Sequence, residues 1–366
     1  MSNSSSMTVF DSIEEAKRQV SVCNACRYCE GFCSVFPAMH QQRVFSNGDL
    51  VQLANLCHNC RGCYYACQYS DPHEFNINLP AALANLRLES WERFIKPNWL
   101  ARLFQRHGLW VSALLIVVLS FLLLLVMQIA SADGAGFYRY LSHTIMISIF
   151  IPAFLLPLYV VARGLKAYWM AVSGERVRYK HIVNAVKNVA TMKNLDGGQG
   201  QGCNFEQGDR YSNKRRYAHQ LTLYGFLLCF ASTVSGTVLH YAFGIEAPHG
   251  LLSLPKLLGI PGGLLLTIGC VCLAWLKLKS DSSLNASNSF TGELAFVLVL
   301  GATGATGLLL YLLGTSLFGT SELLKPMLAI HLATVFTFFI SMPFSKMVHG
   351  FFRMAALVRH AQIAQP

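Results

Sequence analysis

The sequence predicts an all-α protein in which a helical N-terminal domain is followed by a six-helix transmembrane bundle. Hydrophobic residues make up 53% of the 366 residues and charged residues only 13%, whereas a typical soluble domain is about 25% charged. Six apolar runs are each near the length of about 20 residues that an α-helix needs to cross a bilayer. The N-terminal region has helical spacing and no strand-like alternation. Together these observations exclude a simple soluble globule.

The N-terminal domain is expected over residues 1–107. Apolar residues recur at helical spacing in three of its segments, 11–22, 49–56 and 79–94. Its first residues are polar and lack an apolar signal-peptide core, so no cleaved signal peptide is expected. We therefore expect the domain to stay in a reducing compartment, where dense cysteines bind metal more often than they form disulfides.

Eight of the twelve cysteines lie in two runs of identical spacing. Each run reads C-x2-C-x2-C-x3-C, which is the pattern of ferredoxins with two iron–sulfur clusters. Three thiolates in a tight loop can hold one face of a [4Fe–4S] cube, and the fourth cysteine, on the next turn, completes the other cube. The spacing therefore predicts two [4Fe–4S] clusters. One is assigned to Cys23, Cys26, Cys29 and Cys67, and the other to Cys57, Cys60, Cys63 and Cys33.

Structural zinc is the alternative interpretation of these cysteines. Zinc sites use four ligands, usually as separated pairs, and would leave the triple spacing unexplained. The proline that often follows the fourth cysteine is replaced by Ser34 and Gln68, but no ligand is lost. Helices between the motifs favour a helical ferredoxin-like domain over the mixed α/β ferredoxin. Within the second motif, His58 is expected to form a hydrogen bond near the cluster and not to be a ligand. Cys203 and the cysteines of the spans lack ligand spacing.

The membrane domain is expected over residues 108–352, with a long inner loop over 163–218 and a cytoplasmic tail over 353–366. Of the Lys and Arg residues that flank the spans, 21 lie on the side of the N-terminal domain and three on the other side. The positive-inside rule then predicts a multi-pass protein of the cytoplasmic (inner) membrane with both termini inside. The formal charge of +11 needs no nucleic acid partner. The predicted spans are roughly 109–130, 143–162, 221–243, 257–276, 294–317 and 324–344.

Four histidines in or beside the third and sixth spans predict haem. Ionisable residues inside a bilayer are costly, and each one is a functional hypothesis by default. His219 and His240 are 21 residues apart on one helix, and His331 and His349 are 18 apart on an antiparallel one. His219 is therefore expected to meet His349 near the inner surface, and His240 to meet His331 near the outer, as ligands of two bis-His b-type haems. Separate interfacial histidines without a cofactor, or His143 in place of one outer ligand, remain alternatives.

Four further side chains are candidates for cofactor contacts. Arg215 and Arg216 precede His219 and could bind haem propionates, or could be ordinary positive-inside charges. His249 and Lys256 follow the third span and could line a quinone pocket, or could lie in a solvated loop. No flavin or NAD fingerprint occurs in the chain, and its glycine-rich inner loop has no GxGxxG spacing. The sequence therefore has no nucleotide fold.

Three segments suggest a known family. LCHNCRGC in the cluster domain, with LYGFLLCFAST and PFSKMVHGFFR in the spans, resembles the tricarballylate/citrate-utilisation B proteins over nearly the whole chain. The resemblance implies a membrane electron carrier that reoxidises the reduced flavin of a partner, an FAD-dependent tricarballylate dehydrogenase. The eight cysteines match the iron–sulfur motif of that family position by position.

The resulting functional hypothesis is electron transfer from a partner's flavin, through two clusters and two haems, to quinone in the lipid bilayer. The haem pairing follows from spacing alone, and the chain has no substrate-pocket motif, so the organic chemistry is assigned to the partner. Two other hypotheses remain. One is a self-contained ferredoxin:quinone oxidoreductase, and the other is a transporter with a regulatory cluster domain. A transporter is expected to show matching broken helices in two halves, and the sequence has no such symmetry.

Overall fold

The computed structural model describes residues 9–129, 136–197, 200, 202–204, 211–286, 289–314 and 322–364. The all-α prediction is confirmed, because 76% of the described residues are helical and almost none lie in strands. Within the described residues, the strands are limited to the antiparallel pair β1 (Cys203–Asn204) and β2 (Tyr211–Ser212). Short 3-10 helices cover Gly136–Arg139, Lys193–Leu195 and Ser282–Leu284.

The N-terminal domain consists of five helices around the cysteine motifs. The helix over 47–56 begins with a capping box, in which the Ser46 hydroxyl accepts from the Asp49 backbone N–H and the Asp49 carboxylate accepts in return. The next long helix begins with Asn78 as its cap and a proline in its first turn. The three segments with helical spacing are therefore helical. The five helices are α1 (Val9–Cys26), α2 (Val35–His40), α3 (Asn47–Leu56), α4 (Gly62–Tyr65) and α5 (Leu79–Phe94).

Among the residues that the structure describes, six helices are long and apolar enough to cross a membrane. The third and fourth of them pack most closely. Gly225 has no Cβ atom, and one added there would lie only 2.3 Å from the backbone nitrogen of Leu266. An inner helix, α8 (Tyr179–Thr191), follows the second of the six. The six helices are α6 (Asn98–Ile129), α7 (His143–Ala171), α9 (Lys214–Phe243), α10 (Leu254–Lys279), α11 (Phe290–Leu313) and α12 (Leu324–Ser341).

The end of the chain differs from the expected span and tail. Helix α12 ends at Ser341, just before Pro343, and a separate helix, α13 (Val348–Ala364), begins after a turn. Most of the expected tail is therefore helical. Phe352 on α13 is fully buried in the core that contains Leu50 of α3 and Tyr168 of α7. This shared core joins the N-terminal domain to one end of the bundle, which we call the inner end, and the opposite end is called the outer end.

Candidate metal centres

A cavity of ≈ 190 Å³ in the N-terminal domain is lined by Cys23, Cys26, Cys29 and Cys67, and also by Cys63. Cys23 and Cys26 lie at the end of α1, and Cys29 lies in the turn that follows. Cys67, after α4, is the cysteine whose charge acts most strongly on Cys23 and Cys29. The structure thus brings the last cysteine of the second motif to the first motif. We call Cys23, Cys26, Cys29 and Cys67 the distal group, since the other four cysteines lie nearer to the bundle.

The other four cysteines line a second cavity beside α5. Cys33 comes from the first motif, and after burial the charges of Cys60 and Cys57 contribute most to the raised pKa of its thiol. The loop of the second motif also contacts the connection between α10 and α11, where Arg61 Nη2 donates to Asn285 Oδ1 at 2.8 Å. We call Cys33, Cys57, Cys60 and Cys63 the proximal group.

The donor set of these cavities fits iron–sulfur clusters. Burial and the neighbouring thiolates raise the pKa of Cys23 and of Cys29 to about 12, so several thiolates are stable together only beside a compensating cation. Thiolate is the ligand that iron–sulfur clusters use. Within the described ranges, no three His, Cys, Asp or Glu side chains converge as for one metal ion. Thiols spread around a cavity suit a cube in which each iron binds one cysteine.

Three arginines from separate helices bind the backbone of the second motif. Arg87 Nη1 on α5 and Arg353 Nη2 on α13 donate to the Cys57 carbonyl at 2.6 and 2.8 Å. Arg215 on α9 donates from Nη1 to the Asn59 carbonyl at 2.7 Å and from Nη2 to the His58 carbonyl at 3.2 Å. We call Arg87, Arg215 and Arg353 the arginine clamp.

The two arginines that were candidates for haem propionates are therefore engaged elsewhere. Arg215 belongs to the arginine clamp. Arg216 pairs with Asp196 Oδ1 at 2.6 Å and donates to the Thr191 carbonyl at 3.0 Å. Neither role was visible in the sequence, because their partners lie far away along the chain. His58 binds the Leu56 carbonyl through Nδ1 at 2.9 Å, within its own motif.

The inner histidine pair comes together near the N-terminal end of α9. The rings of His219 on α9 and His349 on α13 have centroids 6.1 Å apart at an interplanar angle of 72°. Two imidazoles bound to opposite sides of one metal ion, each through a nitrogen at about 2 Å, place their ring centres roughly 6 Å apart. The separation therefore fits one metal ion between the rings.

Both inner rings are prepared as ligands. His349 binds the Lys346 carbonyl through Nδ1, which orients the ring and leaves Nε2 for a metal. Burial and the nearby Arg353 hold the pKa of His349 well below its ordinary value, so the ring is neutral, as a ligand must be. The buried Nδ1 of His219 has no hydrogen-bond partner within the described residues. The pair fits a bis-His haem.

The outer histidines are arranged differently from the expected pair. His240 on α9 lies against His143 at the start of α7, with ring centroids 4.3 Å apart, which is too close for a metal ion between them. His331 on α12 instead forms a hydrogen bond between Nδ1 and Thr306 Oγ1 at 2.9 Å. No ring contact joins His240 to His331 in the described part of the chain. The structure brings together the alternative pair, which includes His143.

A cavity of ≈ 580 Å³ lies among the apolar helices α7, α9, α10, α11 and α12. Its few polar lining groups include His331, Lys256 and Tyr311, and Lys256 Nζ lies 5.2 Å from the centre of the Tyr311 ring. An apolar cavity of this size with a few polar groups is typical of a small-molecule site. His249, the other quinone candidate, does not line it and lies near Gly236, outside the cavity.

Cys203 is a residue that spacing alone did not assign to the site. It is fully buried beside Cys60, and its Sγ lies 3.3 Å from the Leu195 carbonyl oxygen. A hydrogen bond from Cys203 is the largest factor that lowers the pKa of Cys60 to about 6. The pair of short strands positions Cys203, so no local sequence signal could have identified it.

Comparison with known proteins covers nearly the whole chain. The family model described as "Citrate utilization protein B" matches residues 96–365, and the model described as "Citrate utilization protein B Fer4-like domain" matches residues 16–92. A relative from Escherichia coli, "Citrate utilization protein B", is 40% identical over 353 residues, which are 95% of this chain and 91% of the relative. No solved structure matches the chain.

Proposed function

The chain belongs to the citrate utilization protein B family and has that family's Fer4-like domain, and from this premise we propose a membrane electron-transfer function. Electrons enter from the reduced flavin of a partner dehydrogenase, pass two [4Fe–4S] clusters and b-type haem, and leave to quinone. The clusters and haem supply one-electron oxidation and reduction when they are bound. The chain's own residues hold these groups in order and keep them apart from water.

One observation supports this proposal most strongly. On α9, Arg215 precedes His219 by four residues, and on α13, Arg353 follows His349 by four residues. Residues four apart lie on the same helix face. The histidine of each helix therefore faces the histidine of the other helix. One turn away on the same helix, the arginine donates to the backbone of the proximal group. The proximal group and the inner histidine pair are thus neighbours through two shared helices.

The direction of electron entry follows from exposure. Tyr28, which lines the cavity of the distal group, is 67% exposed, whereas the loop of the proximal group is buried against the bundle. We place the partner, an FAD-dependent tricarballylate or related tricarboxylate dehydrogenase, at the distal group on the cytoplasmic side of the inner membrane. The contact between Arg61 and Asn285 supports an orientation in which the loop after α10 lies on the side of the N-terminal domain.

The acceptor end is assigned to the cavity in the bundle. His331, Lys256 and Tyr311 are the groups that would bind the carbonyl oxygens of a quinone and supply protons to it. His143 and His240 are assigned to a second haem, for which the rings must separate from their direct contact. A quinone in this cavity would exchange with the lipid bilayer between helices.

The test is haem content and the reduced absorption spectrum of the purified membrane protein. We expect a b-type spectrum, with the inner haem lost in His219→Ala and in His349→Ala. His360→Ala, which changes another histidine of α13, is the matched control and should keep the haem. A protein without haem, or loss of haem only in the control, contradicts the proposal. Quinone reduction by reduced ferredoxin without any flavoprotein would favour the self-contained oxidoreductase instead.

A further inference from the structure

The two cysteine groups lie in different electrostatic surroundings. The proximal group's loop accepts four hydrogen bonds from the arginine clamp, whose members come from three helices outside the loop. Arg61 lies within the loop and is 1% exposed. At the distal group, Arg27 is exposed, and its Nε donates to the Asn24 carbonyl of its own turn. Buried positive charge is thus concentrated at one of the two groups.

The buried arginines require a negative partner. Arg87 is 6% exposed, and the buried Nε of Arg353 has no hydrogen-bond partner within the described residues. Neither arginine forms a salt bridge with a carboxylate in the same part of the chain. The half-buried carboxylate nearby, Glu293, already pairs with Lys346 at 2.8 Å and with Lys277. Because an uncompensated buried cation is strongly unfavourable, this region is built for an anion.

An iron–sulfur cube held by four thiolates is such an anion, and it becomes more negative when it gains an electron. Fixed positive charges nearby stabilise the reduced form more than the oxidised form, and they do so more strongly in a region that excludes water. Net charge, hydrogen bonds to the sulfurs and solvent exposure are the factors that set the potential of such clusters. The arginine clamp supplies positive charge near the proximal group, and burial against the bundle lowers the solvent exposure of that group.

We infer that Arg87, Arg215 and Arg353 raise the reduction potential of the cluster at the proximal group above that of the cluster at the distal group. This inference rests on the proposed function. The difference makes electron transfer from the exposed group towards His219 and His349 favourable, and transfer back to the partner unfavourable. The clamp residues are positioning and tuning residues, since they contact the backbone of the cluster loop and not the electron donor. The direction of flow is then a property of the protein's charge distribution.

The experiment is an EPR-monitored redox titration of the full-length protein in detergent. We expect two midpoint potentials for the iron–sulfur clusters in the wild type. Cys26→Ala removes the distal cluster, and we expect the higher of the two cluster midpoint potentials to remain in this variant. Arg353→Gln and Arg87→Gln should lower only this higher potential. We expect the reduced-to-oxidised ratio at a fixed ambient potential to fall at least tenfold, which is about 59 mV for a one-electron couple.

The control variants separate charge from structure. Arg353→Lys retains the charge and should recover most of the wild-type potential, whereas a purely structural role of the guanidinium would leave Lys and Gln equivalent. Arg27→Gln removes an exposed charge beside the distal group and should change neither potential strongly. If Arg353→Gln loses its cluster, the wild type and Cys26→Ala alone still give the order of the two potentials.

The outcomes distinguish this inference from the proposed function. If Cys26→Ala retains the lower potential, or if the arginine variants shift both clusters equally, the inference is overturned while the clusters and the electron-transfer function stand. If the protein contains zinc and no iron, the proposed function itself fails. Iron and sulfide analysis before each titration makes this distinction.

Discussion

The inner and outer ends of the bundle contrast in how their histidines are held. At the inner end, His219 and His349 lie on helices that are fixed to the N-terminal domain by the arginine clamp and by the buried side chain of Phe352. At the outer end, His143 and His240 contact each other directly at helix ends, with no such fixation in the described residues. A histidine pair is therefore preorganised where the N-terminal domain holds both of its helices. A pair that lies only at the ends of membrane helices can change its ring separation more easily.

The largest expected effect concerns the cysteines that link the two motifs. Cys67→Ser should reduce the iron content from about eight to about four atoms per chain, because one of two four-iron clusters loses a ligand. The EPR signal that disappears should be the one that Cys26→Ser also removes, and not the one removed by Cys57→Ser. Cys272→Ser, in a membrane-spanning helix, is the control and should keep all the iron. Loss of the same signal in Cys67→Ser and Cys57→Ser would show that the ligands are not crossed.

Next in size is the contrast between the two proposed haem sites, one at the inner and one at the outer end of the bundle. His349→Ala should abolish the inner haem, and His143→Ala and His240→Ala should resemble each other by losing or weakening only the outer one. His331→Ala should keep both haems, because His331 is bonded to Thr306, and should instead slow quinone reduction. Haem content and a redox titration of each variant show which haem, if any, that variant has lost. An outer haem that depends on His331 and not on His143 would restore the pairing expected from the sequence.

A smaller effect compares buried ion pairs at the inner end with a cation–ring contact at the outer end. Glu293→Gln leaves the ammonium groups of Lys277 and Lys346 buried without their carboxylate, which costs about 3–5 kcal/mol. Lys256→Gln loses mainly its contact with the Tyr311 ring, about 0.5–1 kcal/mol. Thermal unfolding of the two variants in the same detergent measures the difference. Equal losses of stability would remove the distinction between the two ends.

The smallest expected effect concerns Cys203. Cys203→Ala removes a hydrogen bond to the sulfur of Cys60, so the potential of the proximal cluster should fall by less than about 59 mV. Cys203→Ser, which keeps a donor, should stay nearer to the wild type. The same redox titration measures both variants. A loss of iron in Cys203→Ala would mean that Cys203 is a ligand and not a hydrogen-bond donor.

The spacing of residues within one segment was sufficient for part of this protein. The two cysteine motifs and the six apolar spans depend on spacing within a few residues or on length against the bilayer. Residues close to one another in the sequence are sufficient to specify these features. The sequence therefore determined the all-α class, the Fer4-like domain and the helices able to cross a membrane.

The tertiary structure alone decided which distant side chains meet. The sequence expected His331 and His349 on one helix, but the chain turns at Pro343, so His349 lies on α13, which packs on the N-terminal domain. His240 then lies against His143, because helix ends far apart in sequence are brought together by packing. The arginine clamp and Cys203 have the same origin. Spacing on one helix fixes angle and height along that helix, whereas contact between helices depends on how their side chains pack, which no single segment encodes.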